Sequence, residues 1–275
     1  YIPILHKAGA MMAVNVGEPV EQELVLANTT VKLKKSGSGD PLLILHSEMG
    51  NAGWLKYQQE LAKDHTVYML SHPGCMGSDQ PDWIMNMRDL AGWYLQAIEE
   101  LGITPMNVIG LSFGGWIAAE MAVMSPQTFN KMILVSATGI KPEEGEIFDI
   151  FGVTPQVFQQ KSFFDPSNTS EYQIVCPDEL TEELALEWEY ARESTCRVSW
   201  RPYMYYPALP NLLNRLKNLE TLIVWGSEDE IVPLNSGQIY NRNIQGSRLE
   251  VIKNCGHRPE IEKVGEFLKL VKEFL

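Results

Sequence analysis

A serine in the stretch Gly110-Leu111-Ser112-Phe113-Gly114 stands where a short apolar run, residues 107–111, gives way to helical spacing of apolar residues over 115–124. A G-x-S-x-G turn between strand and helix bends the chain sharply and lifts the hydroxyl clear of the sheet, and the glycines relieve crowding on either side. A hydroxyl presented in that way can attack an electrophilic carbon. An ordinary helix N-cap serine beside a packing glycine is the plainer alternative. The choice rests on whether the chain offers a base and an acid to activate the hydroxyl.

Five histidines are available. His6 lies in the N-terminal stretch, His46 ends a strand-like run, and His65 and His72 flank another. His257 follows the run 249–252 in Asn254-Cys255-Gly256-His257, a loop whose glycine lets a side chain reach over the sheet edge. An acid must orient the imidazole. Residues 221–225 read as a buried strand and lead into Gly226-Ser227-Glu228-Asp229-Glu230-Ile231-Val232-Pro233, where three acids crowd one loop. Asp229 is taken as the orienting anion. The candidate catalytic set is Ser112, Asp229 and His257.

With these residues in that order the chain resembles the α/β-hydrolase superfamily, which pairs the serine elbow with a late W-G-x-x-D-x-x-V-P loop and a still later G-H. The resemblance runs from about Glu21 to the C-terminus and includes Leu43-Ile44-Leu45-His46, His72-Pro73-Gly74-Cys75-Met76-Gly77-Ser78-Asp79 and Ser112-Phe113-Gly114-Gly115-Trp116. In some relatives the acid follows the strand after the elbow. Here that strand ends Leu134-Val135-Ser136-Ala137-Thr138-Gly139, without a carboxylate. The resemblance implies an oxyanion hole made by the backbone N–H groups of Phe113 and Glu48. Two positions depart from the pattern. Ser47, followed by Glu48, replaces the usual glycine after the oxyanion-loop histidine, and a glutamate there opposes a developing negative charge unless it faces solvent. Arg258 stands where some carbon–carbon bond hydrolases of the superfamily carry tryptophan.

The elements that would position these residues alternate along the chain. Runs at 42–45, 66–70, 107–111, 131–136, 221–225 and 248–252 suit a sheet covered on both faces, with an antiparallel opening pair at 23–26 and 31–35. Helical spacing appears at 53–63, 87–101, 115–124, 236–243 and 261–275. The expected fold is α/β: a doubly wound, mostly parallel, eight-stranded sheet whose ligands bind at the carboxyl ends of its strands. From 141 to 216 no strand pattern occurs. Helix-like pieces at 146–151, 155–163 and 179–195, with the aromatic cluster around Trp200, predict a helical cap inserted between core segments 1–140 and 217–275. Phe151, Phe158, Trp200, Tyr203 and Tyr206 are its candidate substrate-binding residues, although each could equally just pack the cap onto the sheet.

A formal charge of −13 argues against a nucleic-acid partner, which needs a basic surface. Cys75, Cys176, Cys196 and Cys255 show neither zinc-site spacing nor the density of a disulfide scaffold, so no metal or cofactor is expected. The most apolar stretch, 108–124, holds the serine turn and Glu120, and reads as core rather than as a membrane span. Residues 1–20 show no clear basic region followed by a sustained apolar run, which points to the cytoplasm, although a start at Tyr1 allows a processed or truncated N-terminus. The expected partner is a small molecule. Hydrolysis of a carboxylic ester through an acyl-enzyme is the leading expectation. The alternatives are a carbon–carbon bond hydrolase of a dienoic ring-cleavage product, a thioesterase, and a slow-turnover small-molecule receptor. Serine at the elbow disfavours haloalkane dehalogenase and epoxide hydrolase chemistry, which needs a carboxylate there.

Overall fold

The computed structural model describes residues 18–275; the N-terminal residues 1–17, on which most of the targeting expectation rests, lie outside them. Eight strands form one sheet in the order β1-β2-β4-β3-β5-β6-β7-β8. They are β1 (Val20–Leu26), β2 (Thr29–Ser36), β3 (Pro41–Leu45), β4 (Thr66–Leu70), β5 (Met106–Leu111), β6 (Phe129–Val135), β7 (Glu220–Gly226) and β8 (Arg248–Ile252). β2 runs antiparallel to β1 and to β4, and every other pairing is parallel. The expected eight-stranded, doubly wound α/β sheet is what the chain forms.

Each parallel strand needs a crossover, and the helices supply it on both faces. α1 (Lys56–Leu61), α2 (Met87–Glu100) and α3 (Phe113–Met124) fall in the first half of the chain. α4 (Pro155–Lys161), α5 (Tyr172–Val175), α6 (Glu182–Ser199) and α7 (Leu209–Leu213) follow β6, and α8 (Leu234–Asn243), α9 (Pro259–Glu262) and α10 (Val264–Phe274) complete the fold. Alternation along β3 shows why the central strands are apolar throughout. Leu43 and Leu45 join one core with Trp93, Trp116 and Tyr240. Leu42 and Ile44 join the other with Tyr57, Phe267 and Val271. Both faces of the strand are dry, so polar alternation is lost.

Several boundaries differ from the sequence expectation. The helix expected at 146–151 does not form, because Asp149 Oδ1 accepts the Phe151 and Gly152 N–H groups at 3.0 and 3.1 Å in a local turn that competes with helical bonding. Instead the Tyr203 hydroxyl accepts the Ile150 N–H and donates to the Phe148 carbonyl, pinning that loop. The helix expected at 179–195 starts and ends later. Thr181 caps it by accepting the Leu184 N–H, Glu182 and Glu183 sit at its positive end, and Arg197 sits near its negative end. The pattern at 261–275 divides at Lys263 into α9 and α10, and that at 53–63 contracts to α1. No strand forms between β6 and β7, only α4 to α7 with their connecting turns.

The register aligns the carboxyl ends of the strands that matter. Leu45 pairs with Gly110, Leu111 with Val135, Val135 with Val224, and Gly226 with Ile252. The residues that follow these ends therefore share one rim. Helix α3 closes on that rim because Gly114 lacks a side chain: a Cβ there would lie 2.2 Å from the Leu45 carbonyl oxygen. Backbone cannot yield as a flexible side chain would. Gly114→Ala is expected to cost about 3 kcal/mol and lower Tm by roughly 5–10 °C. Gly265→Ala, on exposed α10 with open space around its Cβ position, should leave Tm unchanged or raise it. Scanning calorimetry of the two variants checks the contrast, and equal melting temperatures would refute it.

Candidate active site

Ser112 sits between β5 and α3 with φ 49° and ψ −112°, a backbone conformation that L-residues rarely adopt. Its surroundings hold it there. The Ser112 N–H donates to the Val135 carbonyl at 2.8 Å, and its own carbonyl accepts the Gly115 and Thr138 N–H groups at 2.9 and 3.2 Å. Close approach also demands glycine nearby, since a Cβ on Gly110 would meet the Gly114 carbonyl oxygen at 2.5 Å and one on Gly115 would meet Ala137 Cβ at 2.5 Å. The turn is thus built by tight backbone packing of β5, α3 and the end of β6.

His257 follows β8 in a loop whose own N–H donates to the Ser162 carbonyl at 2.8 Å. Gly256 precedes it, where a Cβ would lie 2.7 Å from the same Ser162 oxygen. These contacts bring His257 Nε2 to 2.8 Å from Ser112 Oγ. Nδ1 faces both carboxylate oxygens of Asp229, at 3.0 and 2.9 Å. Asp229 is itself fixed, because its Oδ1 accepts the Ile231 and Val232 N–H groups at 2.9 Å each. Of the other acids in that loop, Glu228 is exposed and accepts from Ser227 Oγ, and Glu230 is exposed and pairs with Lys161. Only Asp229 reaches the imidazole.

Burial alone would lower the His257 pKa, but the Asp229 charge and hydrogen bond, with the Glu48 charge added, outweigh it and raise the imidazole above its ordinary 6.5. The Phe113 N–H begins α3 and, like the Glu48 N–H, donates to no other described residue. Both amides are free to bind a developing oxyanion. The Glu48 side chain does not face solvent, as a benign role would have it. It is fully buried, and Ser112 Oγ donates to its Oε1 at 3.2 Å. The strand-end position of Glu48 was readable from sequence, but its inward rotamer was not.

Two histidines outside the candidate set hold the loop that carries Glu48. The His46 and His72 rings stack with centroids 3.5 Å apart. His46 Nδ1 donates to the Ser47 carbonyl at 2.7 Å and its Nε2 accepts the His72 N–H at 3.0 Å, while His72 Nε2 donates to the His46 carbonyl at 3.0 Å. Accepting the His72 N–H needs the His46 ring neutral. Burial agrees, pushing His46 down to about 4 and His72 well below its ordinary value. Above the loop, Thr195 Oγ1 of α6 donates to the Glu48 carbonyl at 3.2 Å, and Ser194 Oγ donates to the Gly74 carbonyl at 3.0 Å. Nothing in the spacing of α6 marks these two residues, which only the docking of the helix reveals. Arg258, beside His257, is buried and bonded to Glu260 at 2.7 Å.

None of the five aromatic candidates has a hydrogen bond or ring contact with Ser112, Asp229 or His257. Phe151 packs against Trp200 and Tyr203, with centroids 5.6 and 5.7 Å away, and Trp200 is half exposed. Phe158 is buried in the core that includes Trp188 and Ile150. Tyr206 lies under the Arg88 guanidinium, 4.7 Å from its ring centre, and Arg88 pairs with buried Glu120 of α3. Ser112 is itself only 2 % exposed.

Residues 40–161 match the family model for the alpha/beta hydrolase fold. A solved membrane phospholipase A, described as a bacterial virulence factor, superposes with a TM-score of 0.81 at 19 % identity, covering 94 % of this chain and 86 % of that one. The meta-cleavage product hydrolase of Pseudomonas fluorescens superposes with a TM-score of 0.75 at 23 % identity, covering 92 % and 96 %. The fold of this chain is the α/β-hydrolase fold. In sequence it is 26 % identical over 275 residues to the 2-hydroxymuconate semialdehyde hydrolase of a Pseudomonas species, across 93 % of this chain and 94 % of that protein. Among the described residues, no helix is long and apolar enough to cross a membrane.

The His257 environment makes a titration prediction. Its imidazole resonances in NMR should titrate above 6.5, and in Asp229→Asn the midpoint should fall below that value, because burial then acts without its main counterweight. A midpoint unmoved by the substitution would show that another group sets the shift.

Proposed function

We propose that the chain is a serine hydrolase in which Ser112 is the nucleophile, His257 the general base and acid, and Asp229 the anion that orients and stabilises the imidazolium. The observation that carries this reading is the unbroken contact chain from Asp229 through His257 to the Ser112 hydroxyl, 2.9 and then 2.8 Å. With Nδ1–H held by Asp229, the Nε2 lone pair faces Oγ and takes its proton as Oγ adds to an acyl carbon. The free amides of Phe113 and Glu48 receive the oxyanion, an interaction worth about 3 kcal/mol per donor in comparable sites. Water then releases the acyl group.

For the bond cleaved, the reading is a carbon–carbon bond next to a carbonyl in a dienoic keto acid. The near full-length match to a 2-hydroxymuconate semialdehyde hydrolase supports this class above the ester expected from sequence. A carbon leaving group is feasible when conjugation spreads the electron pair and a nearby acid supplies a proton. Ester hydrolysis is the second reading. It is favoured by Arg258, committed to Glu260 at a position where some carbon–carbon bond hydrolases carry tryptophan.

Residues 141–216 act as the cap in this proposal. α6 bonds the loops that follow β3 and β4 through Thr195 and Ser194, and the nucleophile beneath is nearly closed to solvent, so α6 must shift to admit substrate. Phe151, Trp200 and Tyr203 form one aromatic group on the cap and are placed to meet a substrate during that opening; Phe158 and Tyr206 hold the cap in place.

Ser112→Ala should lower kcat by about 10³-fold or more with unchanged circular dichroism, and a fluorophosphonate should label Ser112 alone. Loss of the conjugated chromophore of a 2-hydroxy-6-oxo-dienoate should proceed with higher kcat/KM than hydrolysis of p-nitrophenyl esters of graded length. The reverse order supports the esterase reading, and a fully active Ser112→Ala variant rejects both.

A further inference from the structure

The Glu48 carboxyl group is the one feature of this site that the mechanism above leaves without a task. Its side chain bonds to no described residue except Ser112, and its Oε2 is buried without a partner. The carboxyl therefore supports no other part of the fold. The contact that α6 makes with this residue goes to its backbone carbonyl, which any amino acid would provide.

Proton counting along the contact chain gives the group a role. Ser112 Oγ lies between His257 Nε2 at 2.8 Å and Glu48 Oε1 at 3.2 Å. Each contact needs one hydrogen, and the hydroxyl carries only one. The second hydrogen belongs to His257 or to Glu48. With it on His257, the imidazolium donates to Oγ and the hydroxyl donates to Glu48. With it on Glu48, the carboxyl donates to Oγ and the hydroxyl donates to neutral His257. The two arrangements contain the same number of protons and differ only in which side of the serine holds the extra one.

We propose that Glu48 is a second acid–base residue, holding one proton in common with His257 through the Ser112 hydroxyl and delivering it to the atom that leaves the acyl carbon. The proposal rests on Ser112 being the nucleophile. In acylation Oγ bonds to the acyl carbon and its proton passes to His257 Nε2. The bond from that carbon to the leaving atom breaks, and the leaving atom takes the Glu48 proton. In deacylation the water oxygen bonds to the acyl carbon and a water proton passes to the Glu48 carboxylate. The Oγ–carbon bond then breaks, and Oγ recovers its proton from His257. One water is consumed, and both side chains return to their starting state. A neutral Glu48 carboxyl beside the oxyanion loop also removes the repulsion that a fixed carboxylate would exert on the oxyanion.

The groups facing this pair are Asp229 from the loop after β7, Arg258 from the loop after β8, Tyr203 from the segment before α7, and His46 and His72 from the ends of β3 and β4. Asp229 and Glu48 raise His257 while Arg258 lowers it, and burial keeps the Tyr203 phenol and both other histidines uncharged. With one shared proton active, kcat/KM should be bell-shaped in pH. Glu48→Gln should abolish the alkaline limb, because His257 is then the one remaining member of the pair and gives only the acid limb.

Leaving-group dependence supplies the test that a structural role would not move. Ethyl and p-nitrophenyl esters of the same acid differ in need for a proton, and kcat/KM reports the acylation step. Glu48→Gln should slow the ethyl ester by about 100-fold and the p-nitrophenyl ester by less than about threefold. Fluorophosphonate labelling of Ser112 checks that the variant keeps an intact site, and Glu48→Ala with added formate should regain ethyl ester turnover should Glu48→Gln fail to fold. Equal losses on both esters, an alkaline limb left in place, or no recovery with formate would overturn the proposal. With Ser112→Ala inactive, such results reject the role of Glu48 alone; an active Ser112→Ala variant rejects the nucleophile and the relay together.

Discussion

The left-handed turn at Ser112 is the constraint on which the site depends. A side chain at φ 49° carries a strain of about 1–3 kcal/mol, which persists only where surrounding structure over-determines it. Here the over-determination is backbone against backbone. Gly110 and Gly115 close on one another's main chain, Gly114 lies against the Leu45 carbonyl, and the Ser112 N–H is tied to β6. The same contacts that hold the serine also seat α3 between its strands, so the position of the hydroxyl and the packing of the sheet cannot be varied separately.

Charge burial follows from that geometry. A serine drawn to the rim of a dry sheet requires its partners to be buried as well, and isolated buried charges are costly. The chain meets the cost by pairing: Asp229 takes two backbone N–H groups besides the imidazole, and Arg258 is committed to Glu260. Where a charge would have no partner, the site keeps the group neutral, as with the stacked His46 and His72. Glu48 stands apart from both solutions, since one of its oxygens has no partner among the described residues.

In the proposed reading, substrate selection falls to the segment between β6 and β7. The same fold hosts many hydrolytic reactions, and the catalytic geometry is shared among them. In this chain α6 is tied to the loops after β3 and β4 by Thr195, Ser194 and Arg197, which donates to the Asp82 carbonyl at 3.1 Å, while α3 is buried at every residue but Met124.

The alternation of apolar runs, the G-x-S-x-G turn and the order of serine, acid and histidine are local properties, and the sequence by itself determined the α/β sheet and the candidate trio Ser112, Asp229 and His257. Strand periodicity and glycine placement act within a few residues, so they are legible without coordinates. Helix boundaries around 146–151 were not, because Asp149 diverts two N–H groups into a turn that propensity does not register. The choice among Glu228, Asp229 and Glu230 was decided by which carboxylate the 231–232 amides turn toward His257. The aromatic residues of the 141–216 segment read alike in sequence, yet Tyr206 stacks on Arg88 while Phe151 and Trp200 face outward together. Only tertiary structure decided that the Glu48 side chain turns inward, because its contact with Ser112 spans 64 residues of chain, a pairing that no local pattern encodes.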